Sequence, residues 1–299
     1  MFPKSSCISF AAKSDFLVCS LASGAWHNAL LRIAAPTFEG YADLHRADFL
    51  ALRNVRLQTK RPPSWDKIVL LREAVHSYEH ILWLDADTLI VDPSRDAREE
   101  LAKGEELVRL TTHVVQYRRN AWRHEPNAGV LLLRGGEETR GLLETIWEME
   151  RYAEHKWWEQ AAIHELMGYG KGLSFIGETP FSRFFGALGN EWNSTVHDPH
   201  PNPLIKHYIP LPPEEKVKSM QADAGGPYPL TVRTKVMRTE FEKWAEKWAK
   251  EQAQRTKKQA RRTKKRAQRT KRRVQRTLTR RQGYRRLCGR LIRSLLYRS

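Results

Sequence analysis

The stretch ILWLDADTLIVDP, Ile81 to Pro93, decides the fold. Four apolar residues, Ile81 to Leu84, end in two acids one residue apart, Asp85 and Asp87, and then apolar residues resume. A short apolar run of this kind reads as a buried strand. Open α/β sheets bind ligands outside the carboxyl ends of their strands, and the acid pair stands at such an end. Two carboxylates at this spacing can hold a hard divalent cation, directly or through water. That cation would stabilise a departing diphosphate. On the tripeptide alone a plainer reading stays open, in which one acid caps the following turn and the other is solvated.

The neighbouring segments give the class. DFLVCSLAS (Asp15 to Ser23) reads as an early buried strand. SWDKIVLLREAVHSY (Ser64 to Tyr78) reads as a helix capped by Ser64, with Ile68, Leu71 and Val75 on one face. AGVLLLRGG (Ala128 to Gly136) is a second apolar strand closed by glycines. Residues Glu137–Tyr152 and Trp158–Tyr169 read as helices, and KGLSFIG and PLIKHYI as further strands. Strands alternating with helices predict an α/β sandwich with a mainly parallel sheet.

At 299 residues, 40% hydrophobic and with ten tryptophans, the chain can bury a sizeable core. No run of eighteen apolar residues occurs, so no transmembrane helix is expected. The opening MFPKSSCISFAAKSDFLVCS has no sustained apolar stretch of the secretory kind. Cys7, Cys19 and Cys288 are scattered and odd in number, which fits a reducing compartment. The net charge of +18 is unevenly spread. Twenty of the 52 lysines and arginines lie between Gln252 and Ser299, where there is no acid, so the other 32 face all 34 acids.

That tail is a repeat of period seven: QRTKKQA, RRTKKRA, QRTKRRV and QRTLTRR run from Gln254 to Arg281. Ala253, Ala260, Ala267 and Val274 make too thin a seam for a coiled coil, so a solvated basic helix or arm is expected. In Tyr284–Tyr297, Leu287, Leu291 and Leu295 share one helical face, flanked by arginines. Such a stripe suits an anionic membrane surface. Nucleic acid is a second possible partner, through phosphate contacts, but no aromatic residue stands between Trp248 and Tyr284 to stack on bases.

Beyond the acid pair, WDKIVLLREA, PNAGVLLLRGG, WWEQAAI, GNEWNS and PLIKHYI follow in order across roughly residues 15–210. With this ordered set the chain resembles nucleotide-sugar glycosyltransferases of GT-A fold. It is most similar to the galactosyl- and mannosyltransferases of the GMA12/MNN10 type and to the glycogenin-like family. Asp85-Ala86-Asp87-Thr88 is also similar to the first motif of haloacid-dehalogenase-type phosphatases. It lacks their residue before the threonine, however, and stands well inside the chain instead of opening it.

The glycosyltransferase resemblance implies a Rossmann-like three-layer α/β/α sandwich over residues 1–235, while charge and patterning divide the rest into a basic helical or disordered tail over 236–283 and a membrane-surface helix over 284–299. It implies Mn²⁺ or Mg²⁺ bound by Asp85, Asp87 and His207. The donor, a UDP- or GDP-hexose, would lie against Asp85, Ala86 and Asn127, with Lys67 and Arg72 close to its phosphates. Glu159 and Gln160 would stand beside the reacting sugar carbon, although Glu159 replaces a more usual Asp. Taken singly, His207 reads as a core or surface histidine, Asn127 as a turn residue, and Lys67 and Arg72 as solvated helix residues. Trp157 and Trp158 read either as a sugar-stacking wall or as core.

The families resembled retain anomeric configuration. Glu159 is the one candidate for a covalent nucleophile, whereas a same-face displacement, in which the departing diphosphate takes the acceptor's proton, needs none and is preferred. The expectation is therefore a metal-dependent hexosyltransferase acting on a glycan or lipid-linked acceptor. It would be cytoplasmic, peripheral at the inner face of a membrane. The competing expectation is a noncatalytic polyanion-binding protein with a degenerate GT-A body.

Overall fold

The computed structural model describes residues 10–58, 60–118, 121–170 and 173–225. The expected basic tail and terminal helix lie outside these residues, as do Cys7 and Cys288.

The buried strand read from DFLVCSLAS is β1 (Phe16–Ala22), and the strand before the acid pair is β3 (His80–Leu84). The two strands pair in parallel, Phe16 opposite His80 and Cys19 opposite Trp83. On the other side of β1 lies β2 (Asp48–Arg53), also parallel. β6 (Ala121–Arg134) runs antiparallel to β3, with Leu84 opposite Val130. It also pairs with β5 (Val108–Arg118), which carries β7 (Phe185–Ala187) in parallel at the far edge. The order is β2-β1-β3-β6-β5-β7, and only β6 opposes the rest. A smaller sheet, in the order β4-β9-β8, joins β4 (Thr88–Ile90), β9 (Ile205–His207) and β8 (Ser194–Thr195).

Helices cover the large sheet. α1 (Gly24–Leu44) buries Trp26, Leu30, Leu31, Ala34, Phe38 and Tyr41 at helical spacing despite Pro36 in its interior. It stops in a left-handed turn. Arg46 has φ +54, and the N–H of Ala47 reaches back to the Ala42 carbonyl at 2.8 Å. α2 (Asp66–Ala74), α4 (Glu137–Glu148) and α5 (Trp158–Leu166) contribute to a core with Leu17, Cys19, Ile81, Trp83, Leu131 and Leu133. Between them, Trp65 and Trp147 meet edge to face at 5.9 Å. A four-residue α3 (Arg98–Leu101) follows the acid-pair loop, and α6 (Pro213–Asp223) closes the described chain.

Several boundaries differ from expectation. Ser64 does not cap a helix: it lies in a 3₁₀ turn, Pro63–Trp65, and its buried hydroxyl has no partner. AGVLLLRGG is only the end of the fourteen-residue β6. KGLSFIG forms no strand among its described residues; Tyr169 and Phe175 make an isolated bridge instead. PLIKHYI shortens to the three residues of β9. Among the described residues no helix is long and apolar enough to cross a membrane.

Candidate active site

Asp85 follows β3 directly, and its N–H still pairs with the Gly129 carbonyl of β6 at 2.8 Å. The turn after it is capped by Thr88, whose N–H and hydroxyl both donate to the Asp85 carbonyl, at 3.1 and 2.8 Å. The main chain therefore satisfies this turn, and neither carboxylate of the pair is needed for it.

β4 then places Thr88 opposite His207 of β9, and the N–H of Tyr208 donates to the Asp87 carbonyl at 3.0 Å. Pairing of the small sheet thus carries a histidine from late in the chain to the acid pair. His207 Nε2 lies 3.4 Å from Asp87 Oδ1. Ligand atoms of Asp85, Asp87 and His207 all fall within 4.8 Å of one another. Two carboxylates and an imidazole can hold a divalent cation, and the carboxylates suit Mn²⁺ or Mg²⁺.

A chain of hydrogen bonds orients His207. Asn127 Oδ1 accepts from the Gly129 N–H (2.8 Å) and from Asn193 Nδ2 (3.0 Å). The Asn193 carbonyl oxygen must then accept from His207 Nδ1, 3.0 Å away. With Nδ1 engaged by Asn193, Nε2 is the ring nitrogen left on the side of Asp87, and it is the one a metal there would use. Gly129 is required here. A Cβ at that position would stand 2.2 Å from His207 Cε1 and 2.9 Å from Asn127 Oδ1.

A second cluster adjoins the first. Lys67 of α2 is buried, and its ammonium contacts Asp85 Oδ1 (3.0 Å), Glu159 Oε1 (3.1 Å) and the Ala128 carbonyl (2.8 Å). All three N–H bonds are committed, so Lys67 fixes carboxylates in place and has no donor left for a phosphate. Trp83 Nε1 also donates to Asp85 Oδ1 at 2.7 Å. Burial raises the Glu159 carboxyl against the pull of Lys67, and Glu159 Oε2 is buried without a partner. Gln160 Oε1 accepts from the Ala128 N–H at 2.9 Å, which leaves its amide N–H bonds for a ligand. Ala86 is buried between the two acids.

Arg72 is not brought to this place. Its guanidinium meets Glu73 at 2.5 Å and Glu144 of α4 at 2.7 Å. Trp157 packs its ring against His164 at 5.6 Å, whereas Trp158 is exposed. Two partners were not anticipated. Asn193 orients both Asn127 and His207, and Lys216 of α6 sits 2.5 Å from Asp87 Oδ2. Burial alone would raise the Asp87 carboxyl, but Lys216 and His207 outweigh it and hold it well below the usual carboxylate range.

Residues 24–126, about a third of the chain, match the family model of the galactosyl transferase GMA12/MNN10 family. That span includes Lys67, Asp85 and Asp87 and ends before Asn127. A glycosyltransferase involved in the glycosylation of the major capsid of PBCV-1 superposes with a TM-score of 0.52 at 16% identity, over 69% of this chain and 98% of that one. The chain has the GT-A fold and resembles a family of glycosyltransferases. Two further likenesses are slighter. One is 4-diphosphocytidyl-2C-methyl-D-erythritol synthase from Anaerococcus prevotii (TM-score 0.36, 11% identity, 70% and 97% covered). The other is Drosophila β-1,4-galactosyltransferase 7, solved with manganese, UDP-Gal and xylobiose (0.26, 12%, 44% and 51%). No curated protein matches the sequence.

Proposed function

We propose that the protein is a metal-dependent glycosyltransferase that moves a hexose from a UDP- or GDP-hexose to a glycan or lipid-linked acceptor, with UDP or GDP as the leaving group. The reading rests on one observation: Asp85, Asp87 and His207 converge, and Asn193 engages His207 Nδ1, which leaves Nε2 on the side of Asp87. When bound there, Mn²⁺ or Mg²⁺ supplies positive charge to the departing diphosphate. The protein's own residues orient. Asn127 Oδ1 is engaged by Gly129 and Asn193, so its amide N–H bonds are what it offers the donor. Gln160, whose Oε1 is taken by the Ala128 N–H, offers the same.

Glu159 is held by Lys67 and only 5% exposed, a poor setting for a group that must reach an anomeric carbon as a nucleophile. We therefore favour transfer with retention on a single face of the sugar, the leaving diphosphate accepting the acceptor's proton. Positioning and electrostatics are then the main contributions to rate. The basic tail, residues 236–283 with 284–299, would hold the body, residues 1–235, at an anionic cytoplasmic membrane surface beside its acceptor. Removal of Tyr284–Ser299 should release the chain from anionic liposomes; undiminished binding would end that part of the reading.

The central test is thermal stabilisation of the full chain by UDP and by GDP, each with and without Mn²⁺. Stabilisation by one nucleotide only with metal, lost in Asp87→Asn, is the expected result. No response to either nucleotide from folded protein refutes the proposal and returns attention to polyanion binding by the tail.

A further inference from the structure

Two tryptophans stand side by side at the head of α5 and have opposite surroundings. Trp157 packs its ring on His164 at 5.6 Å, and the Lys156 ammonium lies 4.0 Å from the centre of that ring. Trp158 is 41% exposed. Among the described residues its indole has no hydrogen bond or ring contact.

The main chain at Trp158 is strained. Its φ is +44, a left-handed conformation that glycine adopts freely and a bulky side chain resists. Such strain lowers stability and persists only where neighbours over-determine it. Here His155 does so. Its carbonyl accepts from the Trp158 N–H at 3.0 Å, and its Nδ1 accepts from the Trp157 N–H at 3.2 Å. A glycine would relieve the backbone, and a polar residue would suit the exposure. Neither conformation nor packing therefore accounts for a tryptophan, and strained residues of this kind gather where a ligand is held.

The position decides which ligand. The next residue, Glu159, is held by Lys67, and the one after it, Gln160, accepts from the Ala128 N–H and offers its amide to the donor. Two residues of chain span at most about 7 Å, so Trp158 stands at the edge of the reaction centre. The face of an aromatic ring is negative and disfavours a diphosphate. It suits instead the C–H face of a pyranose, whose hydroxyls stay at the rim. From strain, exposure and position together we infer that Trp158 is the stacking platform for the acceptor. The group that receives the hexose is then itself a pyranose sugar, not a lipid headgroup or an amino-acid hydroxyl. The inference rests on the proposed transfer reaction.

The test uses the full chain with Mn²⁺ and whichever of UDP or GDP stabilises it. Saturation-transfer NMR titrations would read binding of the methyl α- and β-pyranosides of glucose, galactose, mannose and xylose. Wild type should bind at least one, with saturation strongest on the protons of one ring face. Trp158→Ala and Trp158→Gly should weaken that binding by about 10-fold or more, the scale of losing one aromatic stacking partner, with nucleotide stabilisation kept. Trp158→Phe, which retains a ring, should keep most of the affinity. Trp158→Gly should also melt no lower than wild type, because glycine relieves the left-handed residue. A merely structural tryptophan would give the reverse, a lower melting point with pyranoside affinity intact.

Unchanged pyranoside affinity in Trp158→Ala or Trp158→Gly overturns the inference, as does a wild type that binds nucleotide but none of the pyranosides. Both results leave the transferase reading standing. Wild type stabilised by neither UDP nor GDP with Mn²⁺ overturns both.

Discussion

Replacing Gly129 with alanine tests the site at its tightest point. The added Cβ would lie 2.2 Å from His207 Cε1, 2.7 Å from Nδ1 and 2.9 Å from Asn127 Oδ1. Ordinary contact begins at 3.4 Å, so the imidazole must retreat by about 1.2 Å, the difference between the two. The backbone cannot give instead, because the Gly129 carbonyl is held by the Asp85 N–H and its own N–H by Asn127. Nor can the ring turn aside freely. His207 is 4% exposed and bonded to Asn193.

Overpacking of this kind costs about 1–3 kcal/mol. At about 2–4 °C per kcal/mol for a body of this size, a melting point lower by roughly 4–8 °C corresponds to the middle of that range. The effect on metal binding should be larger in proportion, since ligand distances tolerate only about ±0.2 Å. Mn²⁺ titration of Gly129→Ala should show affinity down by about 100-fold or more, the upper end of outer-shell effects. Refolded variant with wild-type Mn²⁺ affinity would refute the placement of His207 among the ligands.

Other perturbations separate the remaining parts. Lys67→Met removes the one cation between Asp85 and Glu159 and should destabilise the chain by about 3–5 kcal/mol; an unshifted urea midpoint would show that the cluster is not held as described. His164 is 3% exposed, with Nε2 on the Pro126 carbonyl at 2.6 Å, and burial lowers its pKa from 6.5 to about 4. Its neutral form is the one folded, so stability is complete above pH 6.5 and falls as the pH drops toward 4, by up to about 3 kcal/mol. His164→Gln should flatten the urea midpoint between pH 6.5 and 4.5, and an equally steep decline would exclude His164 as its source. Arg46→Gly, at the left-handed residue ending α1, should stabilise by about 1 kcal/mol, and a lower urea midpoint would count against that helix end.

The strand before the acid pair is legible because an apolar run that stops at two carboxylates fits the end of a buried strand and little else. α1 is not, although Trp26, Leu30, Leu31, Phe38 and Tyr41 stand at helical spacing. Pro36 breaks the usual rule in its middle, and packing against the sheet overrides the local cost. The β5–β6 hairpin is half visible. Its apolar end, Ala128 to Arg134, reads as a strand, but AWRHEP before it mixes charge and aromatics without alternation.

The expected donor-site lysine and arginine show where pattern reading stops short. Lys67 and Arg72 are five residues apart, which on a helix of 3.6 residues per turn puts them about 140° apart around the axis. Both could not face one ligand, and the structure sends Arg72 to α4 while Lys67 turns to the acids. Helical geometry applied to the sequence is enough to make that correction.

Asn193 and Lys216 are different. Asn193 belongs to the quoted GNEWNS, but its role depends on having Asn127 on one side and His207 on the other, contacts spanning 66 and 14 residues. Lys216 lies in PPEEKVK, among acids and another lysine, where nothing local distinguishes it from a solvated helix residue. It acquires meaning only because β9 and α6 return to the loop after β3 and lay its ammonium against one chosen oxygen of Asp87. The elements that bear the ligands are thus written locally. The groups that decide how those ligands point come from far along the chain, and tertiary pairing alone brings them in.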